Sequence, residues 1–167
     1  MTSAYLLVAH GSRDPRPQAA LDRLAGIVRE QLQMADGLRT TAQSRHSHSL
    51  SMTGLSLATS SIRHTQPILL ETAILECGPL PLHEQIAQFA PQLISAKITD
   101  LQIVPLFLLP GVHVMEDIPA EVEMAQQSLS QMDRPLKIAI RPHLGTHPRM
   151  VNLLEQQSPR QATGRIL

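Results

Sequence analysis

His10, Glu76 and His113 are the residues whose types could do chemistry together. Each follows a short apolar run. His10 ends the run Tyr5–Ala9, and Glu76 ends Ile68–Leu75. The run Leu101–Leu109 passes through Pro110, Gly111 and Val112 to His113, and a fourth run, Leu136–Ile140, leads to Arg141, Pro142 and His143. Imidazole and carboxylate together suit a borderline divalent cation such as Fe(II), Co(II) or Ni(II). Imidazole also takes up protons near neutral pH, since its free pKa is about 6.5. Taken singly, each histidine is more simply a polar loop residue. The chemistry needs a fold that carries all three groups to one place.

The elements between them describe such a fold. The runs 5–9, 101–109 and 136–140 are nearly continuous in apolar residues, the pattern of parallel strands covered on both faces. Helical stripes lie between the runs: Leu21, Leu24, Ala25, Val28 and Leu32; Leu82, Ile86, Phe89 and Leu93; Ile118, Val122, Ala125 and Leu129. Met150, Val151 and Leu154 mark a short last helix, and Pro81, Pro119 and Pro148 fall near helix starts, where proline is tolerated. Strand and helix alternate four times. The expected class is α/β: an open, mostly parallel four-stranded sheet with helices on both faces, in flavodoxin-like layering. Ligands of such sheets bind beyond the carboxyl ends of the strands. That is where His10, Glu76, His113 and His143 fall.

Composition excludes several classes. The 167 residues carry 14 basic and 14 acidic side chains, so no polycationic face awaits a phosphate backbone. Aromatics are only 2%, too few to stack single-stranded bases. Cys77 is the sole cysteine, which rules out an intrachain disulfide or a cysteine-cluster metal site. No apolar run approaches the roughly 20 residues that span a bilayer, and the first ten residues do not read as a secretory signal. No GxxxxGK[ST] phosphate loop is present, and Ser12 is not in a GxSxG elbow. A cytoplasmic protein without nucleic-acid or membrane partners is expected. Residues 1–155 read as one domain, with a flexible Ser/Thr/His-rich insertion at about 40–66 that holds His46, His48 and His64, and a polar tail over 156–167. Metal insertion into a tetrapyrrole needs what the three groups offer, because two pyrrole protons leave as the ion enters.

Four segments carry a resemblance to a known family. LLVAHGSRDPRP and VPLFLLPGVHVMEDIPAEV resemble the two signatures of the CbiX/SirB group of class II chelatases. ETAILECGPLPLHEQI is similar to that group's middle strand and the helix after it, and RPHLGTHPRMVNLL to its closing Leu-Gly-x-His-Pro pattern. The resemblance implies a chelatase-like fold and ATP-independent insertion of Co(II) or Fe(II) into sirohydrochlorin or a precorrin-2-derived ring, toward cobalamin or siroheme. It places the signature histidines at His10 and His113 and the metal-site glutamate at Glu76. The divalent ion (Co2+, Fe2+ or Ni2+) is a substrate, and no tightly bound cofactor is implied. Ser12, Arg13, Arg141 and His143 are candidate donors to the ring carboxylates. One copy of each motif matches the short form of the group, which pairs as homodimers, whereas the 40–66 insertion and the Cys-Gly after Glu76 depart from it. The alternative reading is a metal- or tetrapyrrole-binding carrier without turnover.

Overall fold

The computed structural model describes residues 3–44, 68–131 and 135–157. The elements run β1 (Ser3–Ala9), α1 (Pro15–Ser44), β2 (Leu70–Ile74), α2 (Leu82–Ser95), β3 (Asp100–Pro105), α3 (Ile118–Leu129), β4 (Lys137–Ile140) and α4 (Arg149–Gln157). The four strands form one sheet in the order β2-β1-β3-β4, and every neighbouring pair is parallel. The α/β class holds, and the sheet is parallel throughout.

Period-two alternation divides the strand side chains between two layers. Ala4, Leu6 and Val8 of β1 pack with Leu101 and Ile103 of β3 under α2 and α3, where Leu82, Ile86, Phe89, Leu93, Ile118, Val122, Ala125 and Leu129 are all buried. Tyr5, Leu7 and Ala9 face the other way and pack with Leu21 and Ala25 of α1. The α1 stripe is narrower than its spacing predicts. Val28 and Leu32 pack at the cluster's edge and Leu24 is exposed. α2 lacks a side-chain cap of its own, because its N-cap residue is Pro81. Glu121 of α3 supplies one, accepting the His83 backbone N–H at 2.7 Å and meeting His83 Nδ1 at 2.8 Å. α4 buries none of its residues.

Two boundaries differ from those the sequence predicts. β3 stops at Pro105, not Leu109. Leu106 N–H still reaches the Val8 carbonyl at 2.8 Å, but β1 ends one residue later and the ladder has no further partner. The chain then leaves the sheet and exposes Leu108 and Leu109. α1 continues through Ser44, five residues into the predicted insertion. The rest of that segment, with His46, His48 and His64, lies outside the described residues, as does the tail beyond Gln157. No helix of the described residues is long and apolar enough to cross a membrane.

The strand order makes a switch point between β1 and β3. The chain leaves β1 toward the α1 face, and it leaves β3 toward the opposite face, where α3 packs. A crevice therefore opens at the carboxyl ends of these two central strands.

The β1 and β2 ends are tied past the sheet proper. Leu75 N–H bonds the Ala9 carbonyl at 2.9 Å and Glu76 N–H bonds the His10 carbonyl at 2.8 Å. Gly11 follows with φ +101°, and a Cβ there would lie 1.9 Å from the Glu76 carbonyl oxygen. Only glycine satisfies both the dihedral and the contact. Gly11→Ala is expected to lower unfolding free energy by at least about 1–3 kcal/mol, read by urea denaturation. Leu101→Ala, at a fully buried β3 position, is expected to lose about 2–5 kcal/mol by the same measurement.

Candidate metal and substrate site

His10, Glu76 and His113 come together beyond the strand ends. A nitrogen of each imidazole and an oxygen of the carboxylate lie within 4.8 Å of one another. Among the described residues this is the one group of three or more His, Cys, Asp or Glu side chains able to share an ion. His10 Nε2 stands 3.9 Å from Glu76 Oε2, and His113 Nδ1 stands 3.8 Å from Glu76 Oε1. Two ligands on one ion at bonds of about 2.1 Å are at most about 4.2 Å apart, so the His10 Nε2–Glu76 separation fits a shared cation. The imidazoles meet edge to face, with centroids 4.6 Å apart and planes at 87°. Side-chain exposures of 52% for His10, 49% for Glu76 and 30% for His113 leave the group open to a large planar ligand.

Each side chain is placed by a local device. His10 follows β1, and its Nδ1 lies 3.1 Å from the Gly11 carbonyl oxygen. Glu76 is held by the backbone pairing to His10, and Cys77 turns the chain with φ 60°. His113 opens a single π-helical turn, His113–Asp117, in which Ile118 N–H bonds the His113 carbonyl. Pro119 follows in the first turn of α3. It has no N–H to offer Met115, so a regular α-helical bond is missing where the turn widens. Such wide turns occur at functional sites.

The other sequence-derived candidates have mixed placements. Ser12 Oγ accepts the Asp14 N–H at 3.1 Å, so this hydroxyl helps shape the turn out of β1. Arg13 is exposed in the same turn. Asp14 accepts the Arg16 N–H at 2.9 Å, capping α1. The Arg16 guanidinium also pairs with it, and together these bonds hold the Asp14 carboxyl below its usual range. Arg141 is exposed, its backbone N–H bonded to the Ile103 carbonyl at 2.8 Å. His143 Nδ1 lies 3.3 Å from the Phe107 carbonyl oxygen. The Phe107 ring centroid is 6.1 Å from that of His113, so His143 adjoins the site without joining the three-residue group. Gly145 packs there too: a Cβ on it would lie 1.6 Å from the Leu108 carbonyl oxygen.

Two residues at the site escaped the sequence reading. Asp117 Oδ2 stands 2.7 Å from His113 Nδ1. In sequence the pair shows only as i,i+4 spacing at a helix start, which permits the contact without specifying it. Phe107 carried no signal, because in sequence it is one member of an apolar run.

The CbiX family model matches residues 44–161, a span that includes Glu76 and His113 and begins after His10. No curated protein matches the chain. Among solved structures, the CbiX protein of Marinobacter aquaeolei VT8 is 19% identical with a TM-score of 0.56, the match covering 93% of this chain and 92% of that one. The sirohydrochlorin chelatase SirB of Bacillus subtilis subspecies spizizenii, solved in complex with cobalt, is 21% identical with a TM-score of 0.52. SirB of Bacillus subtilis with Fe3+ is 19% identical with a TM-score of 0.54. Each match covers 94% of this chain, which spans 50% and 46% of the two SirB chains. These structures share the parallel sheet and its layers, and the family match extends over most of the sequence: the chain belongs to the CbiX family.

Proposed function

We propose that this protein is a cytoplasmic, ATP-independent chelatase that inserts Co(II) or Fe(II) into sirohydrochlorin or a precorrin-2-derived ring, in cobalamin or siroheme biosynthesis. The observation that carries the proposal is the convergence of two imidazoles and a carboxylate at an open strand-end crevice. The donor set suits a borderline divalent ion. The ring lies across the crevice with its centre over His10 and His113. The imidazoles receive the ion and accept the two departing pyrrole protons. Glu76 draws the cation in and stabilises a neighbouring histidine once that histidine is protonated. Open, incompletely closed coordination favours transfer over storage, since a substrate ion has to leave again. Arg13 and Arg141 are free to meet ring carboxylates, with Ser12 and His143 as further donors. We further propose a homodimer, as in short members of the group.

Metal insertion is followed by the change in visible absorbance of sirohydrochlorin. His10→Ala and His113→Ala are each expected to slow insertion by about 10²–10⁴-fold, the usual contribution of a positioned proton acceptor. Rates for both variants equal to wild type, above the spontaneous background, would falsify the assignment. Glu76→Gln is expected to raise the metal concentration needed for half-maximal rate while leaving the saturated rate closer to wild type. An unchanged metal dependence removes Glu76 from the site. Purified protein is expected to make many product rings per chain, and a single stoichiometric conversion would instead mark a carrier. Sedimentation velocity at micromolar concentration is expected to show a dimer, and a monomer with full turnover rules out a shared site.

A further inference from the structure

The two imidazoles of the site are held by different partners. Asp117 Oδ2 lies 2.7 Å from His113 Nδ1. An ionised carboxylate offers only lone pairs, so Nδ1 donates the hydrogen between them. The opposite tautomer would set a bare nitrogen lone pair against a carboxylate oxygen at contact distance. Glu76 Oε1 is 3.8 Å from the same nitrogen, beyond hydrogen-bonding range. Asp117 therefore determines which nitrogen of His113 is available, and that nitrogen is Nε2. His10 reaches the same state through a neutral group, its Nδ1 facing the Gly11 carbonyl, which also only accepts.

We propose that Asp117 is a positioning residue for the metal-transfer reaction: it fixes the His113 ring and its Nδ1–H tautomer, so that Nε2 presents a lone pair to the ion and to the pyrrole protons. The inference rests on the chelatase reading and deepens it. The π-helical turn is part of the device, since it spans both residues and the Ile118 N–H pins the carbonyl of His113. The aspartate is 42% exposed and the histidine 30%, so the pair sits at the rim, where a free ring would otherwise rotate and exchange tautomers. A carboxylate behind a ligating imidazole typically fixes both properties, and its loss weakens metal binding by about 10–100-fold.

The test compares wild type, Asp117→Ala and Asp117→Glu as full-length, metal-free proteins. Long-range proton–nitrogen NMR reads the His113 tautomer, Co(II) titration reads affinity, and circular dichroism confirms folding. Wild type is expected to hold the proton on Nδ1. Asp117→Ala is expected to shift it toward Nε2 and to weaken Co(II) binding by about 10–100-fold, with its circular dichroism unchanged. Asp117→Glu, which keeps a carboxylate, is expected to regain much of both. A wild-type His113 protonated on Nε2 overturns the proposal without any variant. So does an alanine variant that keeps the tautomer and binds Co(II) within about twofold of wild type. Should these readouts follow expectation while wild type fails to metallate sirohydrochlorin, the chelatase reading falls and the positioning role of Asp117 stands.

Discussion

The backbone of Gly11 runs against the Glu76 carbonyl, and the rest of the site is referred to that contact. Two hydrogen bonds extend the β1–β2 ladder past the last strand residues and hold the chains at this distance. A side chain at position 11 would separate them. With glycine there, His10 and Glu76 leave neighbouring strands side by side, their relative position set by backbone instead of by flexible side chains. This kind of support suits a site that must receive an ion and then give it away. The ligands need to be near one another in advance, yet none needs to be buried.

His113 reaches the same place by another route. It sits seven residues beyond the last bond that ties the β3 end to β1 and is carried by a helical turn instead of a strand end. The strand order makes this geometry natural. β1 and β3 are neighbours whose following helices pack on opposite faces, so the chain opens between them. The two imidazoles flank that opening and Glu76 stands to one side on the next strand. An apolar core with no buried polar or charged residue among those described supports the arrangement from below. The polar groups of the site are all at the rim.

Much of this was legible in the sequence, and the exceptions have physical causes. β1, β2 and β4 fall within two residues of the expected boundaries because each apolar run ends where the sheet does. β3 does not, because Leu106–Leu109 continue the run after the neighbouring strand has ended, and hydrophobicity cannot separate a buried strand from an exposed apolar loop. The α2 and α3 stripes are buried as their spacing predicts, while α1 presents a narrower face and runs longer than its stripe. His10, Glu76 and His113 were readable as strand-end residues. The hydrogen bond from His113 to Asp117 was not, since spacing alone does not say which way a ring faces. Ser12 Oγ accepts the Asp14 N–H in the turn beside His10, a contact its sequence position does not announce and one that leaves its O–H able to donate.

The central claim is that these three side chains act together on one ion. X-ray absorption at the cobalt edge, on full-length protein carrying one Co(II) per chain, tests it without the macrocycle. The account predicts two imidazole scattering patterns and a carboxylate oxygen at about 2.0–2.2 Å. A shell of water oxygens, or a single imidazole, would contradict it.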